Sequence, residues 1–247
     1  MDRTVNFKLG ELFCGPGGIA YGALHAKSDD GKLKITHAWA NDFDRDTCDT
    51  YIKNICPDTP ESVYCMDVRK LDIKSLGQID AFAYGFPCNS FSNVGEHKGL
   101  ANEKFGQLYW YGIEVLKTYK PKWFIAENVS GIRSAGSGDF KIILNDMRES
   151  GYKLTVNLYK AEQYGIPQTR HRVIIVGIRN DLDVDFHVPD PSIYAHIDIL
   201  QKRHYPISQR MLLTMRLGKS RTRYSGGCLI SNLEKTYGRL RTPGVAG

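Results

Sequence analysis

Short apolar runs alternate with longer stretches of helical spacing through most of the chain. The runs at 7–13, 35–40, 62–66, 79–84, 123–126, 153–159 and 172–178 are four to seven residues long, the length of buried strands. Between them, residues 44–54 read as a helix behind Asp44 as N-cap. A second helix over 107–119 carries Leu108, Tyr111, Val115, Leu116 and Tyr119 on one face and stops before Pro121. A third covers 139–150 and ends at Gly151. Strand followed by helix, repeated, predicts an α/β domain with a parallel sheet. After Asp190-Pro191 the pattern fades.

Composition narrows this picture. The 247 residues suit one large domain, or one domain with an appendage, and 42% hydrophobic content supports a core. No apolar run approaches the roughly 18 residues needed to span a membrane. The six Cys form no CxxC pair and no signal peptide opens the chain. Reduced thiols in a cytoplasmic protein are expected, without a disulfide framework or a metal site. Charge is unevenly placed. Residues 190–247 hold ten Lys or Arg against three Asp or Glu, a net of +7, which leaves 1–189 at −1 in a chain of +6. The domains expected are therefore a near-neutral body, 1–189, and a basic region, 190–247, suited to a polyanion such as nucleic acid.

The candidate chemistry clusters at strand ends, where open α/β sheets bind ligands. After the first strand comes Cys14-Gly15-Pro16-Gly17-Gly18-Ile19-Ala20, in which Gly15, Gly17 and Ala20 satisfy G-x-G-x-x-A. The second strand leads to Asp42 and Phe43 and the third to Asp67. A carboxylate at Asp42 could accept ribose hydroxyls and Phe43 could stack on an adenine. The pattern fits a dinucleotide or any other adenosine-bearing cofactor. Taken singly, each Asp is more often a cap or turn residue. The fourth strand ends in Gly85-Phe86-Pro87-Cys88-Asn89-Ser90-Phe91-Ser92, placing a thiol just past the sheet. Residues 92–106 are polar and read as a long loop of the kind that serves function. Glu127-Asn128-Val129 directly follows the fifth strand. Gln168, Arg170 and Arg172 precede the last strand, and two Arg at i and i+2 point to one side of an extended chain. That suits gripping a phosphate and a base together.

These motifs, in this order, resemble the DNA cytosine-5 methyltransferase family over residues 8 to about 180. The resemblance implies a Rossmann-like fold dependent on S-adenosylmethionine, mostly parallel, with helices on both faces and a partial target-recognition region in 190–247. It implies cofactor contacts from Phe13, Gly15, Gly17, Gly18, Asp42, Phe43, Asp67, Val68 and Pro87. Cys88 would be the nucleophile on C6 of a flipped cytosine in double-stranded DNA, with Glu127 protonated at N3 and Arg172 holding O2, assisted by Arg170. Phe86, Asn89, Ser92, Asn128 and Gln168 would meet the base or the DNA. Asn89 departs from the Gln most common there. The implied role is site-specific methylation within a restriction-modification system.

Two other classes remain open to the residues themselves. A nicotinamide-dependent dehydrogenase would explain the Gly loop and Asp42, but not the Pro-Cys, Glu-Asn-Val and Gln-x-Arg-x-Arg trio. An RNA cytosine methyltransferase, or a non-catalytic nucleic-acid-binding relative, would share the motifs. The chain stops at Arg241-Thr242-Pro243-Gly244-Val245-Ala246-Gly247 without a following apolar helix. This resembles the larger subunit of a split enzyme, so a smaller second polypeptide is expected as partner.

Overall fold

A computed structural model describes residues 5–26, 28, 31–87, 108–133, 138–166 and 168–191. Its strands are β1 (Val5–Leu12), β2 (Leu33–Asp42), β3 (Val63–Cys65), β4 (Ala81–Tyr84), β5 (Trp123–Val129), β6 (Tyr152–Lys160) and β7 (His171–Arg179). Its helices are α1 (Gly18–Leu24), α2 (Arg45–Ile55), α3 (Tyr109–Tyr119) and α4 (Asp139–Glu149). The seven strands form one sheet in the order β3-β2-β1-β4-β5-β7-β6. The first five run parallel, and β7 lies antiparallel between β5 and β6. Strand order reverses between β1 and β4, so a crevice at their carboxyl ends is the expected ligand site.

The sheet has a small-residue face and an aromatic face, both legible in β4. Ala81 and Ala83 join Leu9, Ala40 and Val63 beneath α1 and α2, with Ala20, Cys48 and Tyr51. Phe82 and Tyr84 join Phe124, Val173 and Ile175 beneath α3 and α4, with Ile113, Leu116, Ile143 and Met147. This is the alternation of a strand buried on both sides. Where α3 crosses the aromatic face, a Cβ on Gly112 would lie 2.3 Å from the Tyr84 ring, so only glycine permits that approach.

One expectation shifts. β5 runs on through Val129 because β7 pairs with it as far as Val129↔Arg172, whereas β4 pairs only as far as Tyr84↔Ala126. Glu127 therefore lies inside a strand, one residue beyond the end of its parallel neighbour. The α2 cap is as expected, with Asp44 accepting from the Thr47 N–H at 2.8 Å. The crossover from β3 to β4 contains two short 3-10 turns, Val68–Lys70 and Ile73–Ser75, each opened by an Asp side chain.

Candidate active site

On one side of the crevice, the chain leaves β1 through Phe13 at φ 53°, Gly15 at φ 56° and Gly17 at φ 95°. Phe13 is a non-glycine residue in the left-handed region, which costs conformational energy of order 1–3 kcal/mol. The turn is held from β2: Cys14 N–H donates to the Asn41 carbonyl at 3.1 Å and Gly15 N–H to Asp42 Oδ2 at 3.0 Å. Asp42 Oδ1 accepts from Asp44 N–H at 3.2 Å. A carboxylate has about four acceptor positions, so each oxygen keeps room for one more donor. Gly15 and Gly18 face open space, with no atom within 4 Å of where a Cβ would stand. Phe43 beside them is 76% exposed, an unusual place for a phenyl ring unless something covers it. Asp67 caps its turn and pairs with Arg69, whose hydrogen bonds hold the carboxyl down at about 2. The Val68 side chain lies in the aromatic-face core.

The other side of the crevice is built from β4, β5 and β7. Because β7 is antiparallel, its first residues arrive at the carboxyl edge of β5. Glu127 Oε1 takes Arg170 Nη2 at 3.2 Å and Arg172 Nε at 2.8 Å. The i, i+2 spacing thus puts both guanidiniums on one carboxylate. Oε2 points the other way, 3.5 Å from the Cβ position of Gly85. Arg172 also donates to the His171 carbonyl at 2.8 Å. Asn128 is buried and its amide donates to the Phe86 carbonyl at 3.2 Å. The Phe86 ring packs against Tyr84 and Tyr109. The Phe86 turn is therefore pinned by one side-chain hydrogen bond to its carbonyl and one buried ring. Gln168 sits in the exposed approach to β7, its N–H on the Ile166 carbonyl and its own carbonyl accepting from Arg170 N–H.

Cys88, Asn89, Ser92 and the 92–106 loop lie outside the described residues, as does 192–247, on which the expected recognition region and second polypeptide depend. Pro87, the last described residue before the thiol, is half-buried. The structural roles of Asn41, Glu11 and Tyr51 escaped the sequence reading. Asn41 is buried and its amide donates to the carbonyls of Tyr64 and Met66, tying β2 to β3 beneath the crevice. Glu11 and Tyr51 are buried in contact beneath the Gly loop. The available signal was a Glu inside an apolar strand that continues into that loop. Among the described residues, no cluster of His, Cys, Asp or Glu is arranged to hold a metal, and no helix is long and apolar enough to cross a membrane.

The sheet order defines a class, a Rossmann-like methyltransferase fold with the Gly loop on one side of the crevice and the Gly85-Phe86-Pro87 turn on the other. The chain belongs to the C-5 cytosine-specific DNA methylase family, whose model matches residues 7–237. It is 56% identical over 200 residues to the type II methyltransferase M.BbvI of Brevibacillus brevis, covering 76% of this chain and 53% of that protein. It is 32% identical over 240 residues to M.NlaX of Neisseria lactamica, covering 94% of this chain and 73% of that one. The chain thus spans about half the length of its Brevibacillus relative. Among solved structures, the Schizosaccharomyces pombe Dnmt2 methyltransferase superposes with a TM-score of 0.56 at 19% identity, over 79% of this chain and 54% of that one, which speaks to fold alone.

Proposed function

We propose that this chain transfers a methyl group to C5 of cytosine in double-stranded DNA, with residues 1–189 as the catalytic and cofactor-binding part and 190–247 as part of a recognition region. One observation carries the reading. Glu127 is gripped by Arg170 and Arg172 through one oxygen and turns the other toward the Gly85-Phe86-Pro87 turn, which leads straight into Cys88. Similarity to type II methyltransferases supports protection of DNA within a restriction-modification system as the setting of this activity.

The residues present fit S-adenosylmethionine. The open backbone at Gly15 and Gly18 offers a close approach, and Phe13 in the same loop and Pro87 in the turn after β4 are the further contacts proposed. Asp42 has acceptor positions for ribose hydroxyls, Phe43 offers an exposed ring, and Asp67 with Val68 is the proposed adenine contact. When bound, that molecule supplies an electrophilic methyl group on a sulfonium sulfur.

The remaining chemistry belongs to the chain. Because C5 is inaccessible in a stacked duplex, the base is extruded, at a cost of a few kcal/mol. The Cys88 thiolate then adds to C6, forming an S–C6 bond and pushing electron density to C5. Glu127 Oε2 carries the proton that N3 takes up as negative charge develops on the ring, Arg172 faces O2, and Arg170 holds Glu127 in register, so that charge meets preplaced partners. Asn128 keeps the Phe86 carbonyl and the turn in position, and Asn89, Ser92 and Gln168 are assigned to DNA contacts. After methylation a base removes the C5 proton, the S–C6 bond breaks and the thiol returns.

Labelled S-adenosylmethionine tests this with duplex DNA and tRNA as competing acceptors. Label in DNA, located at cytosine C5 by bisulfite sequencing, is expected. Label confined to tRNA would favour the RNA reading, and no label in either would contradict the proposal.

A further inference from the structure

Beneath the Gly loop lies a line of polar side chains that the proposed methylation chemistry does not use. Tyr51 Oη touches Glu11 Oε2 at 2.5 Å and His37 Nδ1 at 3.2 Å. His37 Nε2 touches Ser62 Oγ at 2.8 Å, and Ser62 Oγ lies 2.6 Å from the Thr59 carbonyl. The Glu11 carboxyl also accepts from the Ala20 backbone N–H in the first turn of α1. That turn begins at Gly17, a left-handed residue with no capping side chain of its own, so β1 supplies the missing acceptor.

We infer that Glu11 is held as the neutral acid at the head of a directed hydrogen-bond chain running through Tyr51, His37 and Ser62 to the Thr59 carbonyl, and that losing its proton reverses the chain and loosens the Gly loop. The direction follows from counting protons backwards. The Thr59 carbonyl can only accept, so Ser62 commits its one hydroxyl proton there. Ser62 must then accept from His37, which places the imidazole proton on Nε2. A neutral imidazole with Nε2–H has Nδ1 as an acceptor, so Tyr51 donates to Nδ1. The phenol proton is now committed, and the close contact to Glu11 needs a proton from the carboxyl.

Burial acts in the same sense at both titrating members. It pushes Glu11 up to about 7 and His37 down to about 4, which removes the alternative of an imidazolium with two donors. The other ionisable groups packed against this line are Cys14 of the loop, Cys48 and Cys56 of α2 and its end, and Asp42 of β2. None of these brings positive charge, and burial pushes all three thiols up. When Glu11 loses its proton to solvent, Tyr51 turns to the carboxylate. His37 then carries its proton on Nδ1, and Ser62 leaves Thr59 to donate to Nε2. Glu11 is where α1, through Ala20, and α2, through Tyr51, meet beneath residues 13–17. It is a positioning residue, and its effect on the cofactor rests on the function proposed above.

Nitrogen-15 NMR of His37 in the wild-type chain reads the direction without any ligand. The Nε2–H tautomer is expected below about pH 6 and the Nδ1–H tautomer above about pH 8. The Glu11→Gln variant, which keeps a donor toward Tyr51, should hold Nε2–H throughout. Calorimetry with S-adenosylmethionine then reads the loop. Wild-type affinity should fall about tenfold between about pH 6 and pH 8.5, beyond any change seen in Glu11→Gln, the low end of ordinary coupling between sites. An Nδ1–H tautomer at about pH 6, or identical pH dependence of affinity in the two proteins, would overturn the inference. Absence of wild-type binding at every pH would instead strike the cofactor reading, leaving the tautomer to decide the chain.

Discussion

Two glutamates on nearby strands of the sheet are accommodated in opposite ways. Glu11, beneath the Gly loop, is fully buried and meets a phenol, a backbone amide and apolar surroundings. Glu127, at the mouth of the crevice, has a quarter of its side chain exposed and lies against two guanidiniums. Burial without a cation favours the protonated form of Glu11, whereas Glu127 carries two guanidiniums on one oxygen. The contrast teaches where the fold tolerates charge. The crevice mouth accepts it where chemistry needs it, while the layer beneath excludes it so that β1, α1 and α2 stay locked.

The largest expected effect comes from breaking the mouth. Glu127→Gln loses the partner of both arginines and should lower methyl transfer by about 10²–10⁴-fold, the usual worth of a positioned acid or base. Single-turnover kinetics would read it, and a thermal melt should stay near wild type because the side chain is partly exposed. Next comes the rim at the end of β2, beside the Gly loop. Asp42→Ala removes the acceptor of the Gly15 and Asp44 N–H groups and should weaken S-adenosylmethionine binding by about 2–4 kcal/mol in a calorimeter.

The lower layer should answer to pH. A carboxyl held at about 7 in the fold against an ordinary 4.5 favours folding fully below about pH 4.5 and loses that contribution as pH rises through about 7, some 3 kcal/mol in all. Glu11→Gln should lack this loss. The gap between the two denaturation curves therefore opens with rising pH and levels off above about 8. His37, held at about 4, adds the opposite slope between about 4 and 6.5 in both proteins and cancels in the difference. The smallest effect is expected at Asn128→Ala, which leaves the Phe86 carbonyl without its partner and should cost about 1–3 kcal/mol in urea unfolding.

Most of the architecture was legible because each strand of the sheet is a short apolar run set off by turn residues. In β4, where both faces are buried, the run is continuous. The edge was legible too, because Gly15, Asp42, Gly85 and Glu127 all follow or end such runs. Less visible was anything set by pairing between distant strands. That Glu127 lies within β5 depends on how far β7 extends alongside it, a register that no local pattern encodes. That Arg170 and Arg172 hold a carboxylate follows from the antiparallel entry of β7. Glu11 sits at an inward position of β1 and was hidden because its partners, Tyr51 and Ala20, come from two helices elsewhere in the chain.

The claim that this edge presents a nucleophilic cysteine is tested most directly by trapping it. Duplex DNA carrying 5-fluorocytosine, incubated with the chain and S-adenosylmethionine, blocks the final step because the fluorine at C5 cannot leave as a proton does. A denaturation-resistant complex is predicted, with mass spectrometry placing the DNA on the peptide containing Cys88, and none should form with Cys88→Ser. Methylation of ordinary cytosine by a wild-type chain that gives no such complex, or a complex that persists in Cys88→Ser, would contradict the account.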